Sequence, residues 1–379
     1  MPLHALNILQ TCYSPSWGGL EMQTLEISLQ LIRRGHRVTL SCRPATRLAT
    51  EAERSHIPLL LHDIRGYLHP IVIARLSSEL RHVGIDLIHC QHSRDIATVV
   101  PAMLLSGRYR PILLSKRVGS YIVKKDFLHS LTHRHISRVL AISEVIHRNV
   151  LDTLPVPPER VLTLHDAIDT SRYSPQHATG KSVRSEFGFT DDVFLVGFVG
   201  RISPGKGHGE LLHAAAMLKP RYPNVRYLIV GEASYGEEGY AEQIRHLAGK
   251  LGVDDVVTFT GFRNDVPDVM RAFDLFAFPS HAESFGIGLI EAMAIELPVV
   301  STNCDGILDI VVDGETGIMV PPKDAEALAR GLSRLLDDPG LRKRMGEAAR
   351  RRVVALFDQQ KQLDRLEQIY ADVLSAPQS

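Results

Sequence analysis

Two stretches of this 379-residue chain bring glycine, cations and carboxylates together at usable spacings. The first is Gly200-Arg201-Ile202-Ser203-Pro204-Gly205-Lys206-Gly207, between an apolar run at 193–200 and a helical pattern at 210–219. A glycine-rich turn that opens a helix presents free backbone N–H groups and the positive helix end to an anion. Arg201 and Lys206 add two cations there, an arrangement suited to a diphosphate. The pattern G-x-x-x-x-G-K-[ST] is met at Gly200, Gly205 and Lys206, but Gly207 lacks the hydroxyl that would hold Mg²⁺. A P-loop NTPase is therefore the weaker reading.

The second stretch is Glu283-Ser284-Phe285-Gly286-Ile287-Gly288-Leu289-Ile290-Glu291, after a strand-like run at 275–279. Helical periodicity begins near Ile287, so Glu283 falls in the entering loop and Glu291 in the first turns. Two readings of these carboxylates are even on spacing: helix-start charges that stabilise the dipole, or acceptors for sugar and ribose hydroxyls, as in dinucleotide folds. A third feature is Gly18-Gly19 after the first apolar run, where paired glycines let backbone approach a ligand. No G-x-G-x-x-G accompanies it, which argues against a nicotinamide oxidoreductase.

The elements that must position these groups alternate. Apolar, β-branched runs at 6–13, 36–42, 57–62, 85–91, 111–116, 138–143 and 160–164 are separated by helical spacing. The alternation restarts at 193–200, 225–231, 256–260, 275–279 and 298–302. Such alternation predicts parallel sheets with crossover helices: two Rossmann-like, doubly wound domains, joined near the Pro- and Gly-containing stretch 169–185. Ligands of open α/β sheets bind at the carboxyl ends of the strands, so a cleft is expected between the two. A charged amphipathic helix at 358–374 can pack back on either domain.

Composition narrows the class. The chain is 44% hydrophobic and 23% charged, which excludes disorder and fibrous repeats. Cys12, Cys42, Cys90 and Cys304 form no CxxC pair, and three of them end strand-like runs, so they read as reduced thiols. No apolar run approaches the ~18 residues that span a bilayer, and the first 17 residues do not read as a signal peptide. Net charge is zero, yet residues 1–175 carry 21 Lys and Arg against 14 Asp and Glu. That asymmetry points the N-terminal half at an anion. Within it, Lys116, Arg117, Lys124, Lys125, Arg134 and Arg138 lie near Phe127, Leu128 and Leu131, with Asp126 opposing. A basic, partly apolar helix suits an anionic bilayer or a phosphorylated glycolipid; the alternative is a helix whose apolar side packs on the sheet.

On these motifs the chain resembles the retaining nucleotide-sugar glycosyltransferases of the GT-B fold, family 4. Glu283 and Glu291 match the family's paired glutamates, Gly200-Arg201 and Lys206-Gly207 its phosphate loop, and Gly18-Gly19 its N-terminal loop. Weaker matches are Val230-Gly231-Glu232, Gly261-Phe262-Arg263-Asn264-Asp265-Val266 and Asp313-Gly314-Glu315-Thr316-Gly317. The resemblance implies an N-terminal acceptor-binding domain over 1–172, with helix 358–379 packing back on it, and a nucleotide-sugar-binding domain over 173–357.

It further implies that Arg201 and Lys206 grip the donor diphosphate, Glu283 the transferred sugar and Glu291 the ribose. Gly18 and Gly19 would face the phosphates. Gly200, Gly207, Ser284, Phe285, Gly286 and Ile287 would complete the donor site, with Arg263 bordering the base. The implied enzyme is a hexosyltransferase that uses an NDP-sugar and no metal ion or other cofactor. It would act in the cytoplasm, at the inner face of a membrane, in making a cell-envelope glycoconjugate such as lipopolysaccharide. A nucleotide-sugar epimerase and a non-catalytic nucleotide-sugar binder are the alternatives. Many relatives carry a histidine after the fifth strand, where this chain has Leu114-Ser115-Lys116-Arg117-Val118; His92, Lys116 and Arg117 are its candidates for the sugar or acceptor.

Overall fold

In the computed structural model the described residues are 4–64, 69–176, 179–233 and 236–376. They divide into two compact units, Met1–His165 with Gln362–Ser379, and Asp166–Lys361.

The first unit is built on seven parallel strands: β1 (Asn7–Cys12), β2 (Arg37–Cys42), β3 (Leu59–Leu61), β4 (Leu87–Cys90), β5 (Ile112–Lys116), β6 (Ile136–Ala141) and β7 (Val161–Thr163), in the order β3-β2-β1-β4-β5-β6-β7. Consecutive residues such as Ile8 and Leu9, Leu87 and Ile88, or Leu113 and Leu114 are all fully buried. Burial on both faces is what a parallel sheet covered by helices requires, and it is why these strands read as mostly apolar runs. Cys12, Cys42 and Cys90 are the last residues of β1, β2 and β4, and all are free thiols.

The second unit repeats the plan with β8 (Phe194–Val199), β9 (Val225–Val230), β10 (Val257–Gly261), β11 (Leu275–Phe278), β12 (Val299–Thr302) and β13 (Ile318–Val320), ordered β10-β9-β8-β11-β12-β13. β13 is not among the expected runs: its apolar stretch is Ile318, Met319 and Val320 alone, between Gly317 and Pro321. In each sheet the chain order reverses beside the first strand, between β1 and β4 and between β8 and β11. Those are the switch points where loops part and a crevice opens at the carboxyl edge. The two expected doubly wound, Rossmann-like α/β domains are present.

The border between units differs from the expected 172/173, and part of the expected linker is packed structure. Ile168 pairs with Asp358, Arg350 donates to the Tyr173 carbonyl at 3.2 Å, and the Tyr173 side chain is buried, so residues from Asp166 onward belong to the second unit. Residues 177–178 of that stretch, and 377–379 of the terminal helix, lie outside the described ones. The helix Gln359–Ser375 places Leu363, Leu366, Ile369, Tyr370 and Val373 against Ile8, Leu31, Val38, Leu87, Leu113 and Leu140. Fully burying such a side chain contributes about 1.5–3 kcal/mol before entropy is counted. Arg34 adds ion pairs to Asp364 at 2.6 Å and Glu367 at 2.9 Å.

Candidate functional site

In the second unit the chemistry gathers at the β8/β11 switch point. β8 delivers the chain to the loop 200–207, and the helix His208–Leu218 starts directly after it. Gly207 has φ +78°, and a Cβ there would lie 2.0 Å from the Pro279 carbonyl oxygen. Only glycine permits that approach, so the phosphate-type loop lies pressed on the chain leaving β11. His281 strengthens the union: its N–H donates to the Gly205 carbonyl at 2.7 Å, and its Nε2 is 2.8 Å from Glu210 Oε1.

The Lys206 ammonium meets the Glu283 carboxylate, and both side chains are mostly buried. Ser280 Oγ donates to the same carboxylate oxygen at 3.1 Å, while the Glu283 N–H donates to Asp305 Oδ2 at 3.3 Å. The Gly306 N–H donates to the Glu283 carbonyl at 2.9 Å, and a Cβ on Gly306 would meet the Ser284 carbonyl oxygen at 2.4 Å. Glu283 is therefore held from four sides. Arg201 stands exposed two residues beyond β8.

The helix Ile287–Ala294 starts at Gly286, with φ +128° and no side-chain cap, so its first N–H groups face outward from the helix start. Glu291 is one turn on. The Tyr173 hydroxyl donates to it, yet removal from water pushes its carboxyl up to about 7, with Tyr173 and Arg172 pulling the other way. Spacing left the two glutamate readings even; in the structure Glu283 caps no helix, and Glu291 lies past the first turn of its helix.

Two expected donor residues are engaged elsewhere. The Phe285 side chain is buried and packs edge-on against Phe357 at 5.5 Å, which leaves only its backbone for a ligand. Arg263 is clamped by Asp265 through two hydrogen bonds (2.8 and 2.6 Å) and by Glu186 at 2.6 Å, committing three of its five N–H donors.

In the first unit, Gly18 is extended and its N–H donates to Glu21 Oε2 at 2.9 Å, so that amide is already used; at Gly19 a Cβ would meet nothing within 4 Å. At the ends of β4 and β5, His92 Nδ1 lies 3.3 Å from Asp95 Oδ1, and Asp95 Oδ2 accepts from Thr11 Oγ1 at 2.8 Å. Lys116 is only 6% exposed and has one long hydrogen bond, 3.4 Å to Ser93 Oγ. Burial, then Lys124, lowers its pKa to about 8. Arg117 is buried beside it. Below them His89 bridges the Tyr370 hydroxyl at 2.7 Å and Ser115 Oγ at 2.8 Å, and burial pushes it down to about 3. Among the described residues no group of three or more His, Cys, Asp or Glu is gathered to hold a metal ion.

The basic segment divides in two. Lys116 and Arg117 sit at the carboxyl edge of the sheet, whereas Arg134 and Arg138 sit at the strand starts. The helix Phe127–His133 does not turn its apolar side to the sheet: Phe127 is 79% and Leu128 70% exposed, with Tyr121 fully exposed nearby.

Residues 181–352 match the pattern described as glycosyl transferases group 1, and residues 17–172 match glycosyltransferase family 4. An alpha-D-kanosaminyltransferase of Streptomyces kanamyceticus is 31% identical over 287 residues, 74% of this chain and 72% of that one. The chain belongs to the group 1 glycosyltransferases. A second relative, a D-inositol 3-phosphate glycosyltransferase of Salinispora arenicola, is 31% identical over 312 residues, 78% of this chain and 66% of its own length. In fold, this glycosyltransferase is similar to Anabaena HepE, whose crystal structure is a complex with UDP: TM-score 0.85, 23% identity, 97% of this chain and 100% of that one. The fold class is GT-B.

Tyr173, Ser280, His281 and Asp305 were not singled out as site residues from the sequence. Ser280 and His281 could have been found, since both follow β11 at its carboxyl end. Tyr173 could not, because 118 positions separate it from its partner Glu291.

Proposed function

We propose that the protein transfers a sugar from an NDP-sugar to an acceptor hydroxyl with retention of configuration and without a metal ion. The observation that carries this is the Lys206–Glu283 pair beside two helix starts at the β8/β11 switch point. Departure of a nucleoside diphosphate develops negative charge, and fixed cations with helix N-termini stabilise it where it forms. Lys206 and Arg201 take that role. Glu283 accepts from hydroxyls of the transferred sugar, and Glu291 from the ribose. Backbone N–H groups at 284–287 and Gly19 serve the donor, the Phe285 ring being excluded by its packing.

The bond from the anomeric carbon to the diphosphate oxygen breaks, and one from that carbon to the acceptor oxygen forms on the same face. The acceptor proton passes to the leaving phosphate oxygen. His92, Lys116 and Arg117 address the acceptor from the first unit. UDP in the HepE complex supports a nucleotide donor here. The acceptor we propose is a cell-envelope glycoconjugate, met in the cytoplasm at an anionic membrane surface through the exposed basic and apolar segment 118–131. No described helix is long and apolar enough to cross a membrane.

Incubation with a panel of NDP-sugars, following nucleoside diphosphate release and product configuration, tests the reading. Release of diphosphate with an α-linked product from an α-linked donor is expected. Return of epimerised free sugar without transfer to any acceptor would favour the epimerase instead.

A further inference from the structure

A second cationic site lies in the first unit, away from the carboxyl edge. A cavity of about 300 Å³ is lined by Arg108, Arg110, Arg134, Arg138, Arg160 and His135, with Asp86 as its one acid. That size is at the lower end of ligand-holding clefts. Asp86 immediately precedes β4, Arg110 stands just before β5, His135 just before β6, and Arg160 just before β7. Because these strands are parallel, all of them mark the amino edge of the sheet, opposite Lys116 and Arg117.

Part of this charge has a structural duty. The Arg110 guanidinium is buried and donates to the Ile85 carbonyl at 3.1 Å, the Arg108 carbonyl at 2.9 Å and the Leu80 carbonyl near the end of the helix Pro70–His82. Arg160 donates to the Arg134 carbonyl at 2.8 Å, at the end of the helix Phe127–His133. Cations at helix C-termini are favourable, but each terminus carries only about half a negative charge. The helix Gln359–Ser375 also ends at the cavity; three termini and Asp86, itself occupied by the Asn7 N–H at 2.8 Å, leave about +2.5 from five arginines that stay protonated.

None of the five forms an ion pair within 4 Å among the described residues. Arg138 donates to its neighbour's carbonyl at 2.8 Å, and Arg134 Nε lies 3.2 Å from His135 Nε2. Like charges gathered around a cavity repel unless an anion joins them. Planar guanidinium forks are matched to phosphate oxygens.

We propose that this cavity binds a small, multiply charged oxyanion of the phosphate class, separately from the donor site. Val373, Leu374 and Ala376 of the terminal segment also line it. An anion there relieves the repulsion among the arginines and binds only the folded protein, so binding raises the thermal midpoint.

The test uses the full chain in the Arg201→Ala/Lys206→Ala background, which removes the proposed donor-phosphate site. Inorganic pyrophosphate is titrated by calorimetry at low ionic strength. Saturable binding with one equivalent is expected. It should weaken at least roughly tenfold in Arg108→Ala, since hydrogen bonds to charged groups are worth about that factor or more. It should weaken further in Arg108→Ala/Arg138→Ala and fade as salt rises. Arg108 is exposed, so its replacement leaves the fold intact; a circular dichroism melt without pyrophosphate checks this, and Arg108→Gln repeats the measurement with a longer side chain. The proposal is overturned if the background protein shows no saturable binding, or if it binds equally well with Arg108 and Arg138 replaced. Because the donor site is disabled throughout, failure here leaves the transferase reading untouched.

Discussion

The Lys206 ammonium rests on the Glu283 carboxylate, 77 residues further along the chain, and Ser280 donates to the same oxygen. A donor phosphate has to share Lys206 with that carboxylate, and a sugar hydroxyl has to share Glu283 with that ammonium. The two residues are therefore coupled, and their individual losses will not add.

Lys206→Ala and Arg201→Ala should each lower turnover by ~10²–10³, roughly 3–4 kcal/mol, which is typical when one donor to developing charge is removed. Glu283→Gln keeps the shape and removes the charge; it should lower kcat more than it raises the donor KM. Steady-state kinetics on the three variants decide. Near-normal turnover in both cation variants would remove the diphosphate assignment.

Glu291 predicts a pH dependence. Its folded pKa of about 7 lies above the ordinary value of 4.5, so the folded state holds a proton that the unfolded chain releases. Stability from this group is complete below 4.5, falls as pH rises from 4.5 to 7, and is flat above. The full shift corresponds to roughly 3 kcal/mol at most. Thermal midpoints of wild type should therefore drop across that window, and those of Glu291→Gln should drop less. If the carboxylate serves the ribose, donor KM should improve as pH passes 7, and Tyr173→Phe should move that midpoint upward, because the Tyr173 hydroxyl favours the charged form. Identical pH profiles for all three proteins would show that Glu291 is spectator to both.

Exhaustive treatment with a chelator should leave activity intact, because Arg201 and Lys206 carry the positive charge the leaving group needs. Loss of activity that Mg²⁺ or Mn²⁺ restores would overturn this.

The segment 118–131 should bind anionic vesicles. Lys124 and Lys125 stand among exposed Ile122, Val123, Phe127 and Leu128. At about 1 kcal/mol for each cation near an anionic surface, Lys124→Glu/Lys125→Glu should cost at least about 30-fold in partitioning. Phe127→Ser/Leu128→Ser should weaken binding to anionic and neutral vesicles alike. Co-sedimentation that ignores both lipid charge and these substitutions would leave the segment a surface helix with no membrane role.

Much of the fold was legible in the sequence. Parallel strands buried on both faces have to be mostly apolar, and twelve of the thirteen were apparent as such; only β13 was not, its apolar run being Ile318, Met319 and Val320 alone between Gly317 and Pro321. The phosphate-type loop was legible for a local reason as well: Gly207 needs a positive φ and a close neighbour, which no other residue tolerates.

What sequence could not supply was partnership. Phe285 sits within a ligand-like motif, but its ring turns to Phe357, and a motif does not say which way a side chain points. Arg263 was readable as a cation, yet Asp265 and Glu186 hold it, and Glu186 is 77 positions away. The basic residues from Lys116 to Arg138 form one cluster along the chain and two sites in space, because β5 and β6 carry them to opposite edges of the sheet. Composition, periodicity and glycine spacing are local properties, and they determined the two doubly wound domains and the position of the phosphate-type loop; the family was visible only as a resemblance of the motifs. The Glu291 proton, the Lys206–Glu283 coupling and the arginine cavity depend on burial and on distances between residues far apart in sequence, and only packing in three dimensions decides those.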